Sequence, residues 1–134
     1  MRVMTTLGMA VVLLLAMCAS SFGSDQSKVP SEVKVQKVAA GQLFADSKGM
    51  TLYTFDRDTA PGKSACNGPC AQNWPPLAAK PAAMPMGDWT VVTRDDGSKQ
   101  WAYKGKPLYT WGKDSKPGDT TGDGFNSVWH IAKP

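Results

Sequence analysis

Cys66 and Cys70 are separated by three residues in CNGPC, and the chain has one other cysteine, Cys18. Thiols at this spacing support two chemistries. Asn67-Gly68-Pro69 is a turn sequence that can bring the two Cα atoms within disulfide reach, and an oxidising compartment would close the pair. Alternatively, the two thiolates bind a soft metal. Cu(I) selects thiolate and thioether ligands, so Met84, Met86 and the single histidine, His130, complete a candidate copper set with Cys66 and Cys70. Zinc is disfavoured by so few ligands. Neither C-x-x-C nor C-x-x-C-H occurs, which argues against thioredoxin-like redox work and covalent haem.

A second pattern places an aspartate five residues after a tyrosine, twice. KGMTLYTFDRD occupies positions 48–58 and KGKPLYTWGKD positions 104–114, with six of the eleven positions identical. The motif residues are Tyr53, Phe55 and Asp58, then Tyr109, Trp111 and Asp114. A tyrosine and a carboxylate in contact could exchange a proton. Along one straight strand, however, residues five apart face opposite ways. The expectation is therefore structural: an aromatic pair on the core face, then an aspartate that accepts backbone N–H groups in a turn completed by Pro-Gly.

Other chemistry is thinly represented. DTTGDG at 119–124 partly matches a calcium loop, but His130 stands where the bidentate Glu belongs, and a polar turn is expected instead. There is no G-x-S-x-G, H-E-x-x-H or Gly-rich phosphate loop, and Glu32 is the only glutamate, so no enzyme is expected. Five tryptophans and three tyrosines are many rings for a small domain. Trp101 and Tyr103 share a strand face and could stack on a polymer, although core packing is the expected use of such rings.

These residues must be positioned by short strands, because 13 glycines and 10 prolines interrupt every long run. Strands are predicted over 33–38, 42–45, 51–55, 89–93, 100–103 and 108–111, with Ser47-Lys48-Gly49, Asp95-Asp96-Gly97 and Lys104-Gly105-Lys106 as turns. Each copy of the duplication ends in a tryptophan, a short apolar stretch and Lys-Pro. The fold class is all-β: two tandem β-hairpin or meander repeats, about 38–81 and 89–134, packed as one pseudo-symmetric domain over 35–134. Each copy is expected to close its own half.

With these motifs in place, the chain resembles the family of secreted repeats of unknown function, also described as lipoproteins with a Yx(F/W/Y)xxD motif. The two motif triplets carry the resemblance, as does CNGPCAQNWPPL at 66–77, and the match runs over about 41–134. It implies an exported, often lipid-anchored bacterial envelope protein built from tandem repeats, with no established activity.

The N-terminus agrees with export. Met1-Arg2, the apolar run LGMAVVLLLAM and the small residues after it are arranged as a secretory signal peptide over 1–23, followed by a polar linker over 24–34. Cys18 is a candidate lipidation site, but Met17 precedes it where a lipobox needs a small residue. Periplasmic or secreted localisation is therefore favoured over a lipid anchor, which would be the chain's one attachment to membrane. The formal charge of +4 is scattered rather than blocked, and export argues against a nucleic-acid partner. A non-enzymatic module that binds an envelope protein or a cell-wall polymer is the first functional expectation. Copper binding in the periplasm is the alternative.

Overall fold

The computed structural model describes residues 29–39 and 41–134. The signal peptide, Cys18 and residues 24–28 of the linker lie outside the described residues.

β1 (Val33–Val38) pairs antiparallel with β2 (Gly41–Asp46), in register from Val33↔Asp46 to Val38↔Gly41. Asp46 Oδ1 then accepts the N–H groups of Lys48 and Met50, which turns the chain into β3 (Tyr53–Phe55). The second copy repeats the plan. β4 (Trp89–Thr93) pairs with β5 (Lys99–Tyr103), and β5 pairs with β6 (Lys106–Pro107). Lys104 and Gly105, with φ of 50° and 84°, form the two-residue turn between β5 and β6, a conformation in which glycine at the second position is unstrained. Five of the six predicted strands are present in part or whole. The sixth, 108–111, is not a strand but carries isolated bridges from Tyr109 to Tyr53 and Pro76. The pairing with β5 falls just before it, at Lys106–Pro107. Three elements were not predicted: the five-residue α1 (Pro69–Asn73), a 3₁₀ turn (Phe125–Ser127) and β7 (Trp129–Ile131). The architecture is all-β with irregular loops.

The expectation that each copy closes its own half is wrong. β3 of the first copy pairs with β7, the tail of the second, matching Tyr53↔Ile131 and Phe55↔Trp129. Residues 108–112 of the second copy pair in turn with the tail of the first: Leu77 N–H donates to Leu108 C=O, Thr110 to Pro75 and Gly112 to Asn73. Between these two exchanges, Tyr53 and Tyr109 trade both backbone hydrogen bonds, at 2.7 and 3.0 Å. That reciprocal pair marks the pseudo-two-fold axis. The exchanged tails satisfy the edges of the short motif strands, whose N–H and C=O groups would otherwise be unpaired.

Strand parity sorts the core as the motif implies. Leu52 and Leu108 enter one apolar cluster with Phe44, Leu77, Trp89 and Trp101. Tyr53, Tyr109 and Trp111 enter a second with Trp74, Trp129 and Cys66. All five tryptophans are buried, Trp101 included, so an exposed ladder through Trp101 and Tyr103 is excluded.

Candidate functional site

The motif tyrosine and aspartate of one copy do not meet each other. They meet across copies. Tyr53 O–H donates to Asp114 Oδ2 at 2.7 Å, and Tyr109 O–H donates to Asp58 Oδ2 at 2.6 Å. Each aspartate also does the expected turn work with its other oxygen: Asp58 Oδ1 accepts Ala65 N–H, and Asp114 Oδ1 accepts the N–H and hydroxyl of Thr121. Ala65 and Thr121 are 56 positions apart, like the tyrosines. The duplication therefore writes one junction twice.

Burial pushes both phenols above the ordinary tyrosine value, and the aspartate that takes each proton adds to the rise. Burial also pushes the Asp58 carboxyl up, against the opposing pull of Tyr109 O–H, Ala65 N–H and the nearby Arg94 guanidinium. Arg94 is buried and escaped the reading of the sequence. Its guanidinium donates to Ser64 Oγ (2.9 Å), Gln100 Oε1 (2.7 Å) and the Cys66 carbonyl (2.6 Å). Since the Tyr109 proton is committed to Asp58, the Ser64 hydroxyl donates to the Tyr109 oxygen at 2.6 Å. A directional chain thus runs from Arg94 through Ser64 and Tyr109 to Asp58. No spacing signal marks Arg94, and the position 56 residues earlier is Val38.

Above these junctions lies a stack of four rings. Phe55 lies on Trp129 at 4.2 Å between centroids, Trp129 on Trp74 at 3.7 Å, and Trp74 on Trp111 at 3.8 Å. Phe55 corresponds to Trp111 and Trp74 to Trp129 in the duplication, so the stack is itself two-fold. Its members line an open cleft of about 450 Å³, joined by Arg57 and Lys113, another equivalent pair. These two are the only charged side chains in that lining among the described residues. Phe125 and Asn126 also line it and are exposed. They sit in a left-handed stretch, with φ of 80° at Gly124, 51° at Asn126 and 61° at Ser127.

Cys66 and Cys70 form the disulfide, with Cα atoms 5.1 Å apart. Cys66 is fully buried beside the aromatic cluster. The second copy has Gly122 and Asn126 at the corresponding positions. Gly122 could not be a cysteine there, because a Cβ would lie 2.7 Å from the Trp74 ring.

The candidate copper set is not assembled. The two cysteine sulfurs are bonded to each other, Met84 is 73% exposed, Met86 packs in the other core cluster, and His130 Nε2 faces Asp56 Oδ2 at 2.8 Å. Among the described residues no group of three or more His, Cys, Asp or Glu side chains could hold a metal ion. In the loop at 119–124 the carboxylates accept N–H groups of the protein itself, as in a polar turn. Asp119 Oδ2 accepts the N–H groups of Ser115 and Lys116, which hold its carboxyl below the usual range, and Asp123 Oδ1 accepts Ile131 N–H.

The model of a family described as a secreted repeat of unknown function matches residues 34–78 and again residues 90–133. The chain belongs to this family. The two matches coincide with the two structural copies whose tails are exchanged. No curated protein and no solved structure matches the chain. Among the described residues no helix is long and apolar enough to cross a membrane.

Proposed function

We propose that the protein is a non-enzymatic binding module of the bacterial cell envelope, with its ligand site in the cleft over the repeat junction. The observation that carries this reading is the convergence there of equivalent residues from both copies, Phe55 with Trp111 and Arg57 with Lys113. The cleft has the volume of a small-ligand site, and its wall combines aromatic rings with the polar side chains of Arg57, Asn73, Lys113 and Asn126. General acid–base work needs a group poised near the working pH. The motif phenols are displaced the other way, buried and bound to carboxylates. Export to the periplasm or beyond follows the signal-like N-terminus. An intact mass of the protein taken from its own envelope reports whether Cys18 is removed or lipidated.

Tryptophan fluorescence tests the site, because Trp74, Trp111 and Trp129 border the cleft. The expected result is a saturating change on titration with purified wall polymer, lost in Phe125→Ala. Saturation untouched by Phe125→Ala would move the site elsewhere. Titration of the reduced protein with Cu(I) is the companion measurement. Stoichiometric uptake abolished by Cys66→Ser with Cys70→Ser would replace this reading with metal handling.

A further inference from the structure

We infer that the cleft selects an anionic, ring-built ligand: a short glycan segment carrying carboxylate or phosphate groups. The inference rests on the cleft being the ligand site, as proposed above, and adds the chemistry it recognises.

Charge is the first argument. Arg57 and Lys113 occupy the same motif position in the two copies, both are exposed, and both line the one cleft. Neither side chain has an ion pair or hydrogen bond among the described residues, whereas Lys116 is held by Asp119 and Arg94 is consumed by four acceptors. No carboxylate shares their lining. Two uncommitted cations at one cleft complement a ligand with negative charge on more than one unit. A guanidinium and an ammonium both donate hydrogen bonds to carboxylate or phosphate oxygens.

Shape is the second. A bare inorganic anion needs no apolar wall, yet this cleft is bordered by a ring stack and by Phe125, which is 40% exposed. Phe125 and the half-buried Phe55 present ring surface to the cleft, a contact suited to the faces of sugars, with the buried tryptophans packed behind them. The cleft's volume of about 450 Å³ lies in the range of sites for ligands of a few rings. Two carboxamides, Asn73 and Asn126, supply donors and acceptors suited to hydroxyls. The left-handed backbone at Asn126 and Ser127 is an independent sign, since such conformations outside glycine are retained where the surroundings hold them and cluster at ligand clamps.

The test uses the mature, disulfide-intact protein and four probes, titrated at low salt by calorimetry. These are trigalacturonate, a neutral trisaccharide of similar size, a phosphate-bearing trisaccharide and inorganic tripolyphosphate. One or both of the anionic trisaccharides is expected to bind, and the stronger identifies carboxylate or phosphate as the natural group. Arg57→Gln with Lys113→Gln is expected to weaken that binding on the order of ten-fold or more, and added salt to weaken it in the wild type. Arg57→Lys with Lys113→Arg should restore most of it. Both positions are exposed, so an unchanged melting temperature verifies that the variants fold. Equal affinity for the neutral trisaccharide overturns the anion selectivity and leaves the cleft as a binding site. Tripolyphosphate binding as tightly overturns the ring requirement. Saturation by none of the four, at concentrations where wall polymer saturates, overturns the inference alone; failure of wall polymer as well overturns the underlying reading.

Discussion

The two Tyr–Asp junctions share the phenol-to-carboxylate contact and a backbone N–H on the second carboxylate oxygen, and differ in how the phenol oxygen is closed off. At Tyr53–Asp114 the phenol oxygen accepts the N–H of Gly122 directly, at 3.2 Å, and Thr121 covers the other carboxylate oxygen. Asp114 is buried there with neutral donors alone making its hydrogen bonds. At Tyr109–Asp58 the equivalent N–H belongs to Cys66 and reaches Ser64 Oγ instead, so a hydroxyl is interposed between backbone and phenol. Arg94 then donates to that hydroxyl. The first junction is closed by backbone and a threonine. The second is closed by a buried cation and a disulfide. A duplicated motif has thus kept two contacts, phenol to carboxylate across the axis and backbone N–H to the other carboxylate oxygen, while the remaining hydrogen bonds were met in two different ways.

If the cation is what the second junction depends on, its removal should cost most. Arg94→Met leaves Gln100 Oε1 and the Cys66 carbonyl without their donor in a buried site. A loss on the order of 3–5 kcal/mol is expected in urea unfolding. Val38→Ala, at the counterpart position, should stay within about 1 kcal/mol. Comparable losses at the two positions would mean that Arg94 fills space rather than supplying hydrogen bonds.

The phenols come next. Tyr53→Phe orphans Gly122 N–H and an oxygen of the buried Asp114, for about 2–3 kcal/mol. Tyr109→Phe should cost less, about 1–2 kcal/mol, because Asp58 is partly exposed and water can replace the phenol. The reverse order would contradict the contrast drawn above. Both phenols also set an alkaline limit. Their folded values lie above the ordinary 10.0, so the folded state keeps protons that the unfolded state releases. Their stabilisation is whole below pH 10.0 and is lost as pH rises beyond it. Urea midpoints on either side of that pH should fall steeply in wild type and less in Tyr53→Phe.

How much of this could be read from residues alone follows physical lines. Local signals were sufficient where the cause is local. Asp-Gly and Lys-Gly turns, period-two alternation and the short Cys-x3-Cys loop each put their element in place, as β4, β5 and the Cys66–Cys70 disulfide show. Strand parity separated Leu52 from Tyr53 correctly. What failed was pairing at long range. Tyr53 and Asp114 are 61 positions apart, and nothing in either copy says whether a tail returns to its own motif strand or crosses to the other. Arg94 was missed for a related reason, since its acceptors come from loops that only the tertiary fold brings to it. The Arg57–Lys113 pair was visible as a charge-preserving swap in the duplication, but its place beside the ring stack was not.

Smaller effects resolve the same contrast more finely. The disulfide exists in one copy, and the other manages with Gly122 against the Trp74 ring and a segment one residue shorter. Cys66→Ser with Cys70→Ser should therefore cost only the entropy of a very short loop, about 2 kcal/mol, and leave the fold intact. A chain that no longer folds would assign the bridge a larger role at the Arg94 junction, through the carbonyl of Cys66. The smallest expected effect concerns the proton on Asp58. Its folded value is raised above the ordinary 3.8, chiefly by burial, so the folded state binds this proton more readily than the unfolded chain. Its contribution is whole below pH 3.8, shrinks as pH rises through the folded value, and is absent at neutral pH. Acidification from neutral pH should therefore gain stability from this group while other carboxylates lose it, and Asp58→Asn should remove that gain. An acid limb identical in wild type and Asp58→Asn would mean that Arg94 and Tyr109 already offset the burial of this carboxylate, and that the two junctions differ in architecture without differing in their response to protons.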